Sequence, residues 1–385
     1  MDPSISTIEA DLNSVKNTLS TLETTLSIFK SAISLMDSSV NQIKSSIPSI
    51  ESAITRLKLN QQNKSNQNIQ EQKIIDIPDE KTKQPLKRTR TLNNGLEMPL
   101  LGLGSSRIGN IVDVVYNSIK DGLRLIDTAF KYGNEEEIGK GLRKVLDEGI
   151  VKREELFIIG KIWIDDRKDP EAAIKSTLKK LQLDYLDLYL DHWPSGNNYA
   201  NPDAPKQIPI FEFWPKMEEL VDKGLTKSIG CSNYNVQSLL NLLSFCRIKP
   251  VANEVEYHPY YCQEALKEFC DKENIAIIAY YPLAKGNGAK TYIKAHNGEM
   301  DIFKERIVED LIEKYGKTAG QIILNWHAVQ GIIAIPGTSN PKRMKENLQA
   351  LDFQMSQNDV KNLCKFGKKM KFCGCRRFFG YNIMA

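Results

Sequence analysis

Leu156-Phe-Ile-Ile-Gly-Lys161 is a short apolar run that closes on a cation. Runs of this length bounded by polar residues read as buried strands. The form recurs on either side. Leu123-Arg-Leu-Ile-Asp127 closes on a carboxylate, and Leu186-Asp-Leu-Tyr-Leu-Asp-His192 closes on an imidazole. Tyr132 follows shortly after Asp127. Further candidate strands fall at 100–104, 226–231, 251–256, 276–281 and 332–336. Helical patterns lie between them at Asn134–Asp147, Pro170–Leu181, Phe211–Lys223, Gln237–Phe245, Glu264–Lys272 and Lys317–Val329. Strands alternating with crossover helices predict an α/β domain over residues 91–385, folded as a (β/α)8 TIM barrel. In such a barrel the C-terminal strand ends converge on one mouth, where the chemistry sits. Asp127, Tyr132, Lys161 and His192 would meet there as a proton-delivery system, which a carbonyl reduced by hydride requires. A doubly wound sheet is the alternative. Gly102, Gly104 and Gly109 do not favour it, because their spacing is not G-x-G-x-x-G and no acid follows at the ribose-binding offset. Leu92-Asn-Asn-Gly-Leu-Glu-Met-Pro99 reads as a hairpin around an Asn-Gly turn that could plug the barrel floor.

Composition narrows the class. A formal net charge of +4 over 385 residues gives no argument for nucleic acid. No apolar run reaches the ~18 residues of a membrane span, and no basic flank with an apolar core marks a secretory leader. Seven cysteines are an odd and mostly isolated set, unlike a disulfide framework. Cys373 and Cys375 form a C-x-C pair, but zinc sites usually show C-x2-C spacing with further ligands. With four histidines in the chain no metal cluster is expected. The expectation is a reduced, cytoplasmic protein with neither membrane nor nucleic-acid partners.

Residues 1–59 follow a different rule. Apolar residues at Ile8, Leu12, Val15, Leu19, Leu22, Leu26, Phe29, Ile33, Met36, Val40, Ile43, Ile47, Ile50, Ile54 and Leu57 are spaced alternately by four and three. That is a coiled-coil seam, and it predicts an α-helical segment that assembles the chain as a homo-oligomer through residues 8–57. The remaining positions are rich in Ser, Thr and Asn, poor helix formers, so the seam must be buried for the helix to persist. Pro48 lies outside the seam but costs about 3 kcal/mol in a helix interior, which predicts a kink or restart. The e positions alternate in sign: Glu9, Lys16, Glu23, Lys30, Asp37, Lys44, Glu51, Lys58. In a fully overlapped antiparallel pair Glu9 meets Lys58, Lys16 meets Glu51, Glu23 meets Lys44 and Lys30 meets Asp37. The pattern therefore suggests antiparallel self-association, with a parallel trimer or a solvated stripe as alternatives. Residues 60–90 read as a polar, disordered linker, from Asn60-Gln-Gln-Asn63 to the basic run Lys87-Arg-Thr-Arg90.

Residues 91–385 also resemble the aldo-keto reductase family, on several motifs in the family's order. These are Gly122-Leu-Arg-Leu-Ile-Asp-Thr-Ala129 with Tyr132-Gly-Asn-Glu135, Gly160-Lys-Ile-Trp163, Asp191-His-Trp-Pro194 and Lys227-Ser-Ile-Gly-Cys-Ser-Asn233. They continue with Asn253-Glu-Val-Glu-Tyr-His-Pro259, Ala279-Tyr-Tyr-Pro-Leu283 and Ile335-Pro-Gly-Thr-Ser-Asn-Pro-Lys-Arg343 followed by Glu346-Asn347. The resemblance implies NADPH-dependent reduction of an aldehyde, sugar or ketone, with NADH possible. Tyr132 would be the general acid, its phenol made more acidic by Lys161; Asp127 would hold Lys161 and His192 would orient the carbonyl. Ser232 and Asn233 would hold the nicotinamide carboxamide, Tyr280 would stack on its ring, and Leu283 would border it. Thr338 and Ser339 would line an anion site at a helix start, Arg343 would clamp the adenosine 2′-phosphate, and Glu346 and Asn347 would contact adenine. Trp163, Trp193 and Ser106 would line the substrate pocket, and the basic, aromatic tail after Lys368 would line it too or contact an acidic surface.

Three residues depart from the family pattern. Glu254 stands where glutamine is usual; an ionised carboxylate accepts from the carboxamide but cannot donate to it, and it puts negative charge near a ring that becomes positive on oxidation. Gly337 stands where a lysine often pairs with the 2′-phosphate, and Ser106 where a bulky aromatic is common. A rival function is a scaffold whose barrel retains nucleotide as a sensor.

Overall fold

The computed structural model describes residues 86–194, 208–284, 301–365 and 370–373, with scattered positions between Lys16 and Lys44. The chain forms two units, Met1–Ile77 and Pro78–Ala385. In the first, the described positions are helical and exposed, among them Leu19, Leu22, Leu26, Phe29, Ile33 and Met36 of the expected seam. The rest of the seam, Pro48 and the linker up to residue 85 lie outside the described residues.

The second unit is the barrel. A hairpin comes first, β1 (Thr89–Thr91) paired antiparallel with β2 (Glu97–Pro99). Gly95 at φ +86° supplies the left-handed turn residue. Eight parallel strands follow in sequential order: β3 (Leu103–Gly104), β4 (Leu125–Asp127), β5 (Phe157–Ile162), β6 (Leu188–Asp191), β7 (Ile229–Ser232), β8 (Ala252–Glu256), β9 (Ala276–Tyr280) and β10 (Ile333–Ala334). The ring closes where Leu101 bridges Ala334: Gly102 N donates to Ala334 O and Ala334 N to Leu100 O, both at 2.9 Å. Gly104 is needed at this seam, because a Cβ there would lie 2.6 Å from the Ile335 carbonyl oxygen.

All eight expected strands are present, most with trimmed ends. Six expected helices appear as Glu135–Asp147, Pro170–Leu181, Ile210–Asp222, Val236–Leu243, Glu264–Lys272 and Ala319–Val329. Three further helices, Ile111–Lys120, Arg306–Tyr315 and Gln357–Cys364, were not anticipated. The chain joins the barrel earlier than a linker over 60–90 allows. Leu86 N donates to Leu351 O at 3.0 Å, Arg88 pairs with Asp352 at 2.5 Å and Arg90 donates to Gly331 O at 2.7 Å. Arg88 and Arg90 of the basic run are thus anchors, held by partners far away in sequence.

Strand alternation divides the core in two. Leu125, Phe157, Ile159, Leu188, Leu190, Ala252, Ala276 and Ile278 pack in one cluster inside the barrel. Ile126, Ile158, Tyr189, Cys231, Val255 and Ile277 pack in another, outside it, with the helices. Leu92 and Met98 of the hairpin join the inner cluster and close its floor.

Candidate active site

The inner cluster gives way to polar residues at the mouth. Asp127, Lys161 and His192 each follow, two residues on, an inward apolar side chain: Leu125, Ile159 and Leu190. A period of two turns all three inward. Tyr132 ends a single 3-10 turn, Phe130–Tyr132, stopped by Gly133 at φ +69°. The four residues come together around Lys161, which is fully buried. Its Nζ forms a short ion pair with Asp127 Oδ1 and lies 3.2 Å from Thr128 O, 3.4 Å from Tyr132 Oη and 3.3 Å from Glu254 Oε1. The rings of Tyr132 and His192 meet edge-on with centroids 5.9 Å apart.

Burial opposes the charge on Lys161, but Asp127 and Glu254 outweigh it and raise its pKa above the ordinary amine value. The ammonium is therefore the resting form. Burial also raises the Tyr132 phenol; Lys161 pulls it down, while Asp127 and Glu254 push it up. The lysine thus acts in the expected direction, but desolvation is the larger effect and the phenol stays protonated, a correction to the simpler expectation. Burial, helped by Lys161, holds His192 well below its ordinary pKa, so its imidazole is neutral. Its Nδ1 has no hydrogen-bond partner. A neutral imidazole, a protonated phenol and a fixed ammonium can together bind a carbonyl oxygen and deliver a proton to it.

The next strands bring the expected cofactor residues to the same mouth. Ser232 Oγ and Asn233 N both donate to the Glu254 carbonyl oxygen at 2.8 Å. Asn233, in the left-handed region at φ +66°, donates to His192 O at 2.9 Å and accepts from Tyr280 Oη at 2.8 Å. Leu283 packs on the inner cluster. Thr338, Ser339, Asn340, Pro341 and Met344 line a cavity of about 230 Å³. Asn340 caps the helix Pro341–Leu348 by accepting from Lys342 N and Arg343 N. Those two N–H groups are thus already occupied, leaving the Ser339 hydroxyl and the exposed Arg343 as groups open to an anion. Glu346 accepts from Thr318, and Asn347 is buried. A Cβ on Gly337 would lie 3.0 Å from Gly104 O, so a lysine there needs the backbone to shift. The unpartnered His192 Nδ1 and Glu254 Oε2 at the mouth, with this cavity beside the helix start, fit a nicotinamide dinucleotide.

Of the substrate residues, Trp163 sets its ring edge to His192 at 5.3 Å between centroids. Trp193 stacks on His192 at 6.3 Å. Ser106 is exposed. Sequence reasoning missed Arg167 and Tyr234, which bind Asp191 beside His192. Tyr234 directly follows the Ser232-Asn233 motif, a signal that was available; Arg167 sits in a loop with none.

The sequence profile of the aldo/keto reductase family matches residues 103–368. The chain belongs to the aldo/keto reductase family. It is 38% identical over 304 residues to an NAD(P)H-dependent D-xylose reductase of Pyricularia oryzae, covering 74% of this chain and 94% of that protein. It is 38% identical over 311 residues to aldose reductase C of Dictyostelium discoideum, covering 75% and 92%. Among solved structures, a Bombyx mori aldo-keto reductase in complex with NADP superposes with a TM-score of 0.70 at 33% identity, covering 77% of this chain and 98% of that one. As an aldo/keto reductase this chain is a nicotinamide-dependent oxidoreductase that takes a carbonyl to an alcohol.

Proposed function

We propose that Tyr132 is the general acid of an NADPH-dependent reduction of an aldehyde, sugar or ketone, and that residues 8–57 assemble the enzyme. The observation that carries the first part is the 3.4 Å approach of Lys161 Nζ to Tyr132 Oη, with Asp127 behind the lysine and His192 at the ring edge. His192 holds the carbonyl oxygen. Tyr132 gives it a proton as charge develops, and the ammonium stabilises the phenolate left behind. Bound cofactor supplies the hydride. The exposed Arg343 favours NADPH, since guanidinium recognises phosphate well. Trp163, Trp193 and Ser106 border the substrate.

The alternating e-position charges support antiparallel pairing of residues 8–57, in which every cross-pair is of opposite sign. Each such pair contributes a few tenths of a kcal/mol, so the pattern sets register more than strength. A reducing, cytoplasmic setting suits the six described cysteines, none of which is in a disulfide.

NADPH oxidation with an aromatic aldehyde tests the reading. Wild type turns over, and Tyr132→Phe binds NADPH with kcat lowered by about 10²–10⁴. Nucleotide binding without turnover in wild type would support the scaffold instead. Light scattering of the full chain against residues 78–385 tests the assembly; equal, monomeric masses per chain would refute it.

A further inference from the structure

We propose that Glu254 is the proton store of the reduction: it keeps the proton that replaces the one Tyr132 gives away, and returns it through Lys161. The inference rests on the reductase reading above and goes beyond it. Geometry is its first support. Glu254 Oε1 lies 3.3 Å from Lys161 Nζ, and Tyr132 Oη lies 3.4 Å from the same nitrogen. The ammonium therefore bridges the acid to the phenol.

Burial is the second. Asp127 and Glu254 are each 2% exposed around a single ammonium that is 0% exposed. Two carboxylates sharing one cation away from water do not both ionise, so one proton stays in the site. Asp127 forms the shorter pair with Lys161, which places the proton on Glu254. Burial first and the charge of Asp127 second hold the Glu254 carboxyl well above the ordinary range, against the pull of Lys161. The other titratable groups around it are the neutral phenols of Tyr132 and of Tyr280 on β9. Third, Glu254 Oε2 is buried without a hydrogen-bond partner, so this oxygen is not committed to a structural bond.

The step balances. Hydride from the dihydronicotinamide forms the new C–H bond, the carbonyl π pair becomes the alkoxide lone pair, and the Tyr132 proton closes the hydroxyl. The phenolate takes a proton from Lys161, and the amine takes the Glu254 proton. Phenol and ammonium are restored and Glu254 is left ionised. The site has lost one proton while the nucleotide has gained one positive charge, so the net charge in the dry barrel is unchanged. Solvent reloads Glu254 after the oxidised nucleotide leaves.

Isothermal titration calorimetry of the full chain, in buffers of different ionisation enthalpy, counts these protons without turnover. At neutral pH, NADP+ should release close to one proton per site more than NADPH does. The ratio of the NADP+ Kd to the NADPH Kd should fall by about tenfold per pH unit around neutrality. In Glu254→Gln the proton difference disappears and the ratio becomes flat; Glu254→Asp regains part of both. Equal proton counts for the two nucleotides in wild type overturn the inference, as does a difference that persists in Glu254→Gln. The wild-type arm needs no variant to fold. Failure to bind either nucleotide would instead overturn the reductase reading and this inference with it.

Discussion

Two buried clusters in this barrel have the same ingredients and opposite finish. Each joins a cation, a carboxylate and a phenol. Around Arg167 no buried polar atom of Arg167, Asp191 or Tyr234 is left without a partner. Arg167 Nε and Nη2 take the two oxygens of Asp191 at 3.2 and 2.5 Å, Tyr234 Oη donates to Asp191 at 2.6 Å, and Arg167 also donates to the Trp193 carbonyl oxygen. The guanidinium sits 4.8 Å over the Phe213 ring. Around Lys161 the phenol stands off at 3.4 Å, a second carboxyl shares the cation, and Glu254 Oε2 and His192 Nδ1 lack partners. The comparison teaches which cluster works and which one holds. A satisfied buried network fixes geometry. An unsatisfied one keeps capacity for a ligand and for a moving proton, at a cost in stability. The Arg167 cluster grips Asp191 and the Trp193 carbonyl on either side of His192, so the satisfied network positions the catalytic imidazole.

Matched substitutions can break that contrast. The largest effect is expected in rate, from Lys161→Met: kcat falls by about 10²–10⁴. Both remaining carboxyls can take up protons, so the urea midpoint should move far less than in the next variant. Arg167→Met leaves Asp191 buried without its cation and should cost about 3–5 kcal/mol in denaturant unfolding. A loss below about 1 kcal/mol would show that the Arg167 network is not a brace. Tyr234→Phe removes one hydrogen bond to a buried carboxylate and should cost about 1–3 kcal/mol, with nucleotide binding unchanged. Tyr132→Phe, also a lost phenol hydroxyl, should scarcely shift the unfolding midpoint, because its contact with Lys161 is long.

The smallest effect is in pH. His192 is neutral in the fold, with its pKa held below the unfolded value of about 6.5. A depressed folded pKa contributes stability that is fully present above the unfolded value and is lost as pH falls below it. The His192 contribution to the unfolding free energy should therefore drop between about pH 7 and about pH 5, opposite in sign to that of the raised Glu254 carboxyl, and His192→Gln should change the slope of unfolding free energy against pH by that amount. An unchanged slope would mean that His192 is not held neutral by the site.

Much of the barrel was legible because its code is local. An apolar run closing on Asp127, Lys161 or His192 carries both the strand and the inward-facing terminal residue, since alternation is a property of the backbone. The strand written as 100–104 shows the limit: only Leu103–Gly104 form β3, while Leu100 and Leu101 engage the barrel through the closing contact with Ala334. The helix Ile111–Lys120 did carry apolar residues at Ile111, Val115 and Ile119, but it starts at Asn110 in the left-handed region without a side-chain cap. Its start signal was weak. Arg88 and Arg90 read as part of a disordered linker because Asp352 and Gly331, their partners, are distant in sequence.

The sequence alone determined the eight-strand alternation, the four residues at the strand ends and the heptad seam of the first segment, since each depends on neighbours a few positions apart. Only the tertiary structure decided the charge states. It buried Lys161 between Asp127 and Glu254, raised the Tyr132 phenol where proximity to an amine alone would have lowered it, and completed the Arg167 network while leaving the Lys161 one open. Desolvation is a property of everything packed around a group, and no motif records it.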